Sequence, residues 1–308
     1  MGVLSLILQW VSAVRRWLYA ARLLRTYRAA CPVVSIGNLG FGGSGKTPVV
    51  MALARALTKR GIRAVILSRG YGGTHSGSTI VQPNADAAVV GDEPLWLARK
   101  SGAAVVVDTN RARAAAWAMR ELKPDLFILD DGFSHLRLAR DLDWLMIGTN
   151  DLEAFAPRRE LRSQLRHAAI ITALDDGALT RAPLPSAVAK TGLRAHMLLR
   201  TVTDAGLSGM RVVVIAAIAH PERFTETVRG TGATIVETRF YRDHAVIPKE
   251  AFTKLAPHDF IVITEKDAVK TPRLPPHCVV LETAIVLPPE LVDRVAALVL
   301  PANVNTAT

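Results

Sequence analysis

The sequence predicts an α/β chain of two units, and three observations carry that expectation. A short β-branched strand, Val33 to Ile36, runs into a glycine-rich loop and then into a helical pattern from Val49 to Arg60. An apolar segment at residues 125–131 ends in two acids, Asp130 and Asp131. From Arg211 onward, strands and helices alternate again, which is the rhythm of a second, smaller parallel sheet. Half of the 308 residues are hydrophobic, enough for one large core or two moderate ones.

At the N-terminus, residues 1–28 are helix-forming throughout. On a 3.6-residue period Ser5, Gln9, Ser12 and Arg16 stack along one line, while Leu6, Trp10, Ala13, Trp17 and Leu24 fall on a broad apolar face. The longest uncharged stretch is the first 14 residues, short of the roughly 18 to 20 that cross a bilayer. Positive charge follows the apolar run instead of preceding it, which argues against a secretory leader. Two readings stay open: a helix lying in the interface of an anionic membrane, with Trp10, Trp17 and Tyr19 beside Arg15, Arg16, Arg22, Arg25 and Arg28, or a helix packed on the core. The first acidic residue is Asp86, after eleven Lys or Arg, so the formal net charge of +11 sits in residues 1–85. Such polarity suits an anionic surface or a polyanion.

The loop Gly40-Phe41-Gly42-Gly43-Ser44-Gly45-Lys46-Thr47 matches GxxxxGK[ST] between a strand and a helix. Glycines let the backbone wrap a phosphate chain with its N–H groups inward, and the helix N-terminus adds a positive dipole end. Lys46 then bridges the β- and γ-phosphates, and Thr47 offers a hydroxyl to Mg²⁺. Asp130 and Asp131 are the matching metal-side carboxylates, or else a capping pair before Gly132. Between these elements comes the strand Ala64 to Ser68, then SRGYGG, then Gly91-Asp92-Glu93-Pro94 leading into a helix. Asp92 fits an N-terminal turn and equally fits the carboxylate that phosphoryl transfer wants beside an acceptor hydroxyl. Cys31 and Cys278 lack CxxC spacing and the histidines are scattered, which argues against disulfides, structural zinc and transition-metal chemistry.

The motifs GNLGFGGSGKTP, SRGYGG, VGDEPLWLA, DTNRARAA, ILDDGFSH, TRFYRDH and TEKDAVK, in this order, resemble those of the tetraacyldisaccharide 4'-kinases, over residues from about Leu4 to Val286. The resemblance implies transfer of the γ-phosphate of ATP to the 4'-hydroxyl of an acylated glucosamine disaccharide 1-phosphate. It implies two α/β/α domains with a short two-stranded linker, held by the N-terminal helix at the cytoplasmic face of the inner membrane. Carried over, Asp92 is the base or orienter of the acceptor hydroxyl, paired with His244. Asp130 and Asp131 bind the metal, Glu160 completes the magnesium shell, and Arg69, Arg111 and His135 contact the acceptor's phosphate or sugar. Ser134 departs from the family's usual Gln, APRRE replaces the commoner GPLRE near Glu160, and Ala245 follows His244 where many members carry a second histidine.

The expected organisation is an amphipathic helix at 1–28, a P-loop NTPase-like α/β/α domain at 29–205, and a smaller α/β domain with its linker at 206–308. In the second unit, strands are expected at Arg211 to Ile218, Thr234 to Glu237, Phe260 to Thr264 and Cys278 to Leu281, with a helix opening at Pro221 or Glu222. Lys266 and Asp267 read as structural. A nucleotide-hydrolysing GTPase that drives a partner protein is the rival enzyme, but no guanine-reading NKxD motif is present. The basic balance also admits a nucleic-acid binder, yet the charges are not interleaved with aromatics on a recognisable module. ATP and Mg²⁺ are therefore the expected ligands and a glycolipid at a membrane surface the expected partner, with neither nucleic acid nor an obligate protein partner.

Overall fold

The computed structural model describes residues 3–40, 45–147, 168–173, 194–196, 198–201, 206–253, 259–271 and 273–299. The first helix, α1 (Val3–Ala20), is followed by strand β1 (Val33–Asn38), helix α2 (Lys46–Lys59) and strand β2 (Ala64–Ser68). Then come β3 (Thr79–Ile80), α3 (Ala87–Val90), α4 (Asp92–Lys100), β4 (Ala104–Val107), α5 (Arg111–Glu121), β5 (Leu126–Asp130), β6 (Leu142–Met146), β7 (Ile170–Ala173) and β8 (Arg194–His196). These eight strands form one sheet in the order β3-β4-β2-β5-β1-β6-β7-β8. It is parallel except where β3 meets β4.

Period-two alternation assigns the faces of this sheet. Val34, Ile36, Ile66, Leu126 and Ile128 pack on one side with Val50, Leu53 and Leu57 of α2 and Leu95 of α4. Val33, Val65, Leu67, Phe127 and Leu129 pack on the other with Ala114, Ala115 and Ala118 of α5. The small alanines of α5 let it lie close to the strands, and the result is three layers, as expected.

A second sheet contains β10 (Arg211–Ala216), β11 (Thr234–Phe240), β12 (Phe260–Thr264) and β13 (Cys278–Leu281), in the order β11-β10-β12-β13, all parallel. Val212, Val214 and Ala216 pack with Phe224 and Val228 of α6 (Pro221–Gly230), and Val213 and Ile215 with Ile247, Ala251 and Phe252. Between the sheets, β9 (Leu198–Thr201) pairs antiparallel with β14 (Thr283–Val286), the two-stranded connection the resemblance implied. The chain then returns to the first unit. Ile285 and, from α8 (Pro289–Ala296), Leu291, Val292, Val295 and Ala296 join the core beneath α2.

The N-terminal helix is shorter than its propensity suggests. It ends at Ala20, where Arg22 turns left-handed at φ 60° and the amides of Leu23 and Leu24 fold back onto the Leu18 carbonyl. Residues 21–28 contain no glycine or proline; they leave the helix because Tyr27 pairs with the chain around Leu138. Tertiary pairing outweighs local propensity here. The polar line faces the protein: Gln9 is buried, and Arg16 donates to the Phe133 carbonyl at 3.0 Å with its guanidinium 4.6 Å from the Phe133 ring. Trp10 and Trp17 point outward, 70% and 62% exposed.

Candidate active site

In a parallel sheet the loops after the strands share one edge. β1 and β5 are neighbours, with Ile36 opposite Asp130, so the glycine loop and the aspartate pair must meet. They do: Lys46 Nζ lies 3.6 Å from Asp131 Oδ1. Gly45, at φ 77°, caps α2 with no side chain and leaves the first-turn amides to an anion. From β2, Ser68 Oγ donates to Asp130 Oδ2 at 3.3 Å, and Arg69 and Tyr71 follow. From β4, the buried Asp108 accepts from the Asn110 amide, from Ser78 and from Arg113, which fixes the turn that starts α5 at Arg111.

The carboxyl edge of the second sheet faces this edge across a cleft of about 810 Å³. Lys46, Thr47, Arg69, Arg111, Asp130, Asp131 and His135 line it from the first unit, and Asp243, His244 and Lys266 from the second. Asp92 opens α4, and both of its oxygens lie near His244 Nδ1, at 3.1 and 3.0 Å. The pair therefore spans the two units, which sequence alone suggested only through the resemblance. Phe41, Gly42, Gly43, Ser44 and Glu160 lie outside the described residues.

The electrostatics separate the carboxylates. Burial, with Glu93 and Asp131 near, pushes Asp130 up to about 7 against the pull of Lys46 and Arg111. Its Oδ1 is buried without a hydrogen-bond partner among the described residues, the state of a ligand oxygen shaped for a cation. A hard divalent ion held by one or two carboxylates, a threonine hydroxyl and phosphate oxygens fits this set. Among the described residues no group of three or more His, Cys, Asp or Glu that could hold a metal ion is found.

Asp92 behaves oppositely: burial opposes its charge, but the His244 hydrogen bond and the cations Lys266, His244 and Lys270 hold it below the usual carboxylate range. The same hydrogen bond raises His244, against burial and Lys266. Burial lowers Arg111 to about 10, partly offset by Asp130 and Asp131, so it stays charged at neutral pH; its Nε is unpartnered among the described residues. Burial and four nearby arginines push His135 down to about 4, leaving a neutral imidazole whose Nε2 has no hydrogen-bond partner among the described residues. Ser134 Oγ is likewise buried without a partner among the described residues.

Gly91 sets the entry to α4. It sits at φ 92°, and a Cβ there would come 2.8 Å from the Tyr71 carbonyl oxygen. Gly91→Ala is expected to cost about 1 to 3 kcal/mol of stability and to lower kcat with little change in the KM for ATP, because it displaces Asp92 and not the phosphate loop. Melting and steady-state kinetics check both.

Sequence reasoning missed Lys266 and Lys270. Lys266 Nζ lies 3.1 Å from Glu93 Oε1 and 3.3 Å from His244 Nε2, and Lys270 Nζ lies 3.6 Å from Asp92 Oδ2. The signal available was their spacing of four, which puts both on one helical face.

A loop built for a polyphosphate on one sheet edge, with an acid of the same unit joined to an imidazole from the other, leaves space for a second substrate in the cleft. That arrangement defines a P-loop phosphotransferase. Residues 1–300 match the family described as tetraacyldisaccharide-1-P 4'-kinase, and the chain belongs to it. It is 36% identical over 280 residues to the tetraacyldisaccharide 4'-kinase of Chromobacterium violaceum, covering 86% of this chain and 81% of the relative. With that of Anaeromyxobacter dehalogenans (strain 2CP-C) it shares 37% over 295 residues, 84% and 77% of the two. The crystal structure of LpxK from Aquifex aeolicus in complex with ATP has the same fold, with a TM-score of 0.79 at 24% identity over 96% of this chain and 98% of that one.

Proposed function

We propose that the chain transfers the γ-phosphate of ATP to the 4'-hydroxyl of a tetraacylated glucosamine disaccharide 1-phosphate in lipid A biosynthesis, as the names of its relatives describe. The observation that carries this reading is the Asp92–His244 contact at 3.0 Å, with His244 lining the same cleft as Lys46, Asp130 and Asp131. Lys46 and the loop amides from Gly40 to Thr47 hold the phosphates. Thr47, Asp130, Asp131 and Glu160 would hold a magnesium ion, which would supply charge neutralisation to the phosphates. Asp92 orients the acceptor hydroxyl and takes its proton as the oxygen bonds to the γ-phosphorus, the bond to the bridging oxygen breaks and ADP leaves. His244 steadies that carboxylate. Arg69, Arg111 and His135 meet the acceptor's phosphate and sugar, Arg111 with the planar fork suited to a phosphate. Positioning and charge neutralisation supply most of the rate.

The test is incubation with labelled ATP and the disaccharide acceptor in detergent micelles. Label in the lipid supports the reading; release only to water, at a rate indifferent to the acceptor, refutes it in favour of a nucleotide hydrolase.

The same reading sets the enzyme at the cytoplasmic face of the inner membrane, resting on α1. No helix among the described residues is long and apolar enough to cross a membrane. The outward tryptophans and inward polar line support interfacial contact instead. Trp10→Ser with Trp17→Ser is expected to weaken binding to anionic vesicles at least tenfold while sparing transfer to micellar acceptor. Co-sedimentation at low and high salt measures it, and unchanged binding would refute the assignment.

A further inference from the structure

We propose that Lys266 and Lys270 are positioning residues for phosphate acceptance, Lys270 setting the Asp92 carboxylate and Lys266 setting the His244 ring. The proposal rests on the acceptor-side reading of Asp92 and His244.

Both lysines belong to the short helix α7 (Glu265–Val269) and the residue that follows it. Thr264 caps this helix, accepting from the Asp267 amide at 3.1 Å and donating its hydroxyl to Asp267 Oδ2 at 2.7 Å. The fully buried Asp267 also accepts from the Ala217 amide and stands 3.5 Å from Lys270 Nζ. A fixed carboxylate thus sits behind Lys270, whose ammonium donates to the Ala245 carbonyl at 2.9 Å and faces Asp92. One turn earlier, Lys266 is gripped by Glu93 at 3.1 Å and by Asp243 at 3.3 Å. The two side chains are only 7% and 12% exposed. Cations this buried are costly unless opposed by charge, and here each has carboxylates beside it: Asp267 and Asp92 for Lys270, Glu93 and Asp243 for Lys266.

The chemistry of an ammonium makes this arrangement directional. Lysine has donors only. With Lys266 Nζ 3.3 Å from His244 Nε2, that nitrogen accepts whenever the ring is neutral, which places the ring hydrogen of the neutral form on Nδ1, toward Asp92. The other neighbours of the ring are Asp243, 3.6 Å from Nε2, and the tilted Tyr71 ring with its centroid 5.4 Å away. Those facing Asp92 are His244, Lys266 and Lys270. Lys266 remains charged, since Glu93, Asp92 and Asp243 outweigh the effect of its burial. Losing either lysine removes positive charge from beside Asp92, so the carboxylate takes a proton more readily and the acid limb of activity must move to higher pH.

The test uses the full chain, labelled ATP and the acylated disaccharide monophosphate in micelles, with Lys266→Met and the charge-balanced pair Lys270→Met with Asp267→Asn, which removes the buried Asp267 charge behind the missing ammonium and leaves Asp92 as the carboxylate that feels its loss. At pH 6 each is expected to lose at least tenfold in kcat, with the acid limb shifted upward, the KM for ATP unchanged and activity largely restored by Lys266→Arg or Lys270→Arg. In Lys266→Met, nitrogen-15 spectra of His244 should gain the tautomer protonated on Nε2. An unshifted limb with wild-type kcat overturns the proposal. So does a loss that is uniform with pH and tracks the melting temperature, because that describes a structural bridge. Asp92→Asn separates the two levels: if it is fully active, the pair and the lysines both fall, whereas an inactive Asp92→Asn beside unaltered lysine variants removes the lysine assignment alone.

Discussion

Lys46→Ala is expected to give a folded protein in which phosphoryl transfer drops by about 10³-fold or more. The side chain is the first of α2, 11% exposed and 3.6 Å from Asp131. In the proposed reaction it follows charge as it gathers on the transferred phosphate, and an alanine would remove that ammonium from beside the loop. Stability should barely change, because the core beneath α2 is made by Val50, Leu53 and Leu57 and does not involve this ammonium. Label transfer into lipid and a melting curve read the two halves of the expectation. Wild-type transfer in this variant would remove the phosphate site from the loop.

Asp92→Asn should cost about 10²- to 10⁴-fold in kcat, with the KM for ATP close to wild type. The amide keeps the shape of the side chain and an oxygen for the His244 Nδ1 hydrogen, so ring and helix stay in register. What disappears is the anion that accepts a proton from the hydroxyl. The sign of the pH response follows from the depressed pKa of Asp92, whose causes are His244, Lys266 and Lys270 working against burial. In the wild type the carboxylate stays ionised below the ordinary carboxylate range, and activity is lost only as pH falls through that lowered value. In the variant this acid limb should vanish. A pH series on both proteins decides it, and a limb that persists unchanged would assign that titration to another group.

The nucleotide side was legible because its chemistry is local. A strand, a glycine run, Lys46 and Thr47 declare a phosphate loop within eight residues, and the apolar run ending at Asp130 declares its carboxylate neighbour. Parallel topology then obliges the two to meet. The acceptor side is assembled from distant segments. Asp92 and His244 are 152 positions apart and Glu93 and Lys266 are 173 apart, so only the docking of the second sheet reveals the contacts, and Lys266 by itself reads as structural. Periodicity likewise found two faces on α1 but not which one meets the protein. The buried Gln9 and the grip of Arg16 on the Phe133 loop reverse the usual orientation. Nor did composition foretell the end of that helix at Ala20, which a partner segment around Leu138 imposes.

The return of Ile285 and Leu291–Ala296 to the core beneath α2 ties the order of synthesis to function. A nascent chain emerging from the ribosome has produced every residue of the phosphate loop long before it makes the side chains that close the underside of the loop's helix. The first unit is therefore closed only by residues far along the chain, a contact of long sequence separation and correspondingly slow closure. A chain cut before Ile285 would leave the loop helix without this floor.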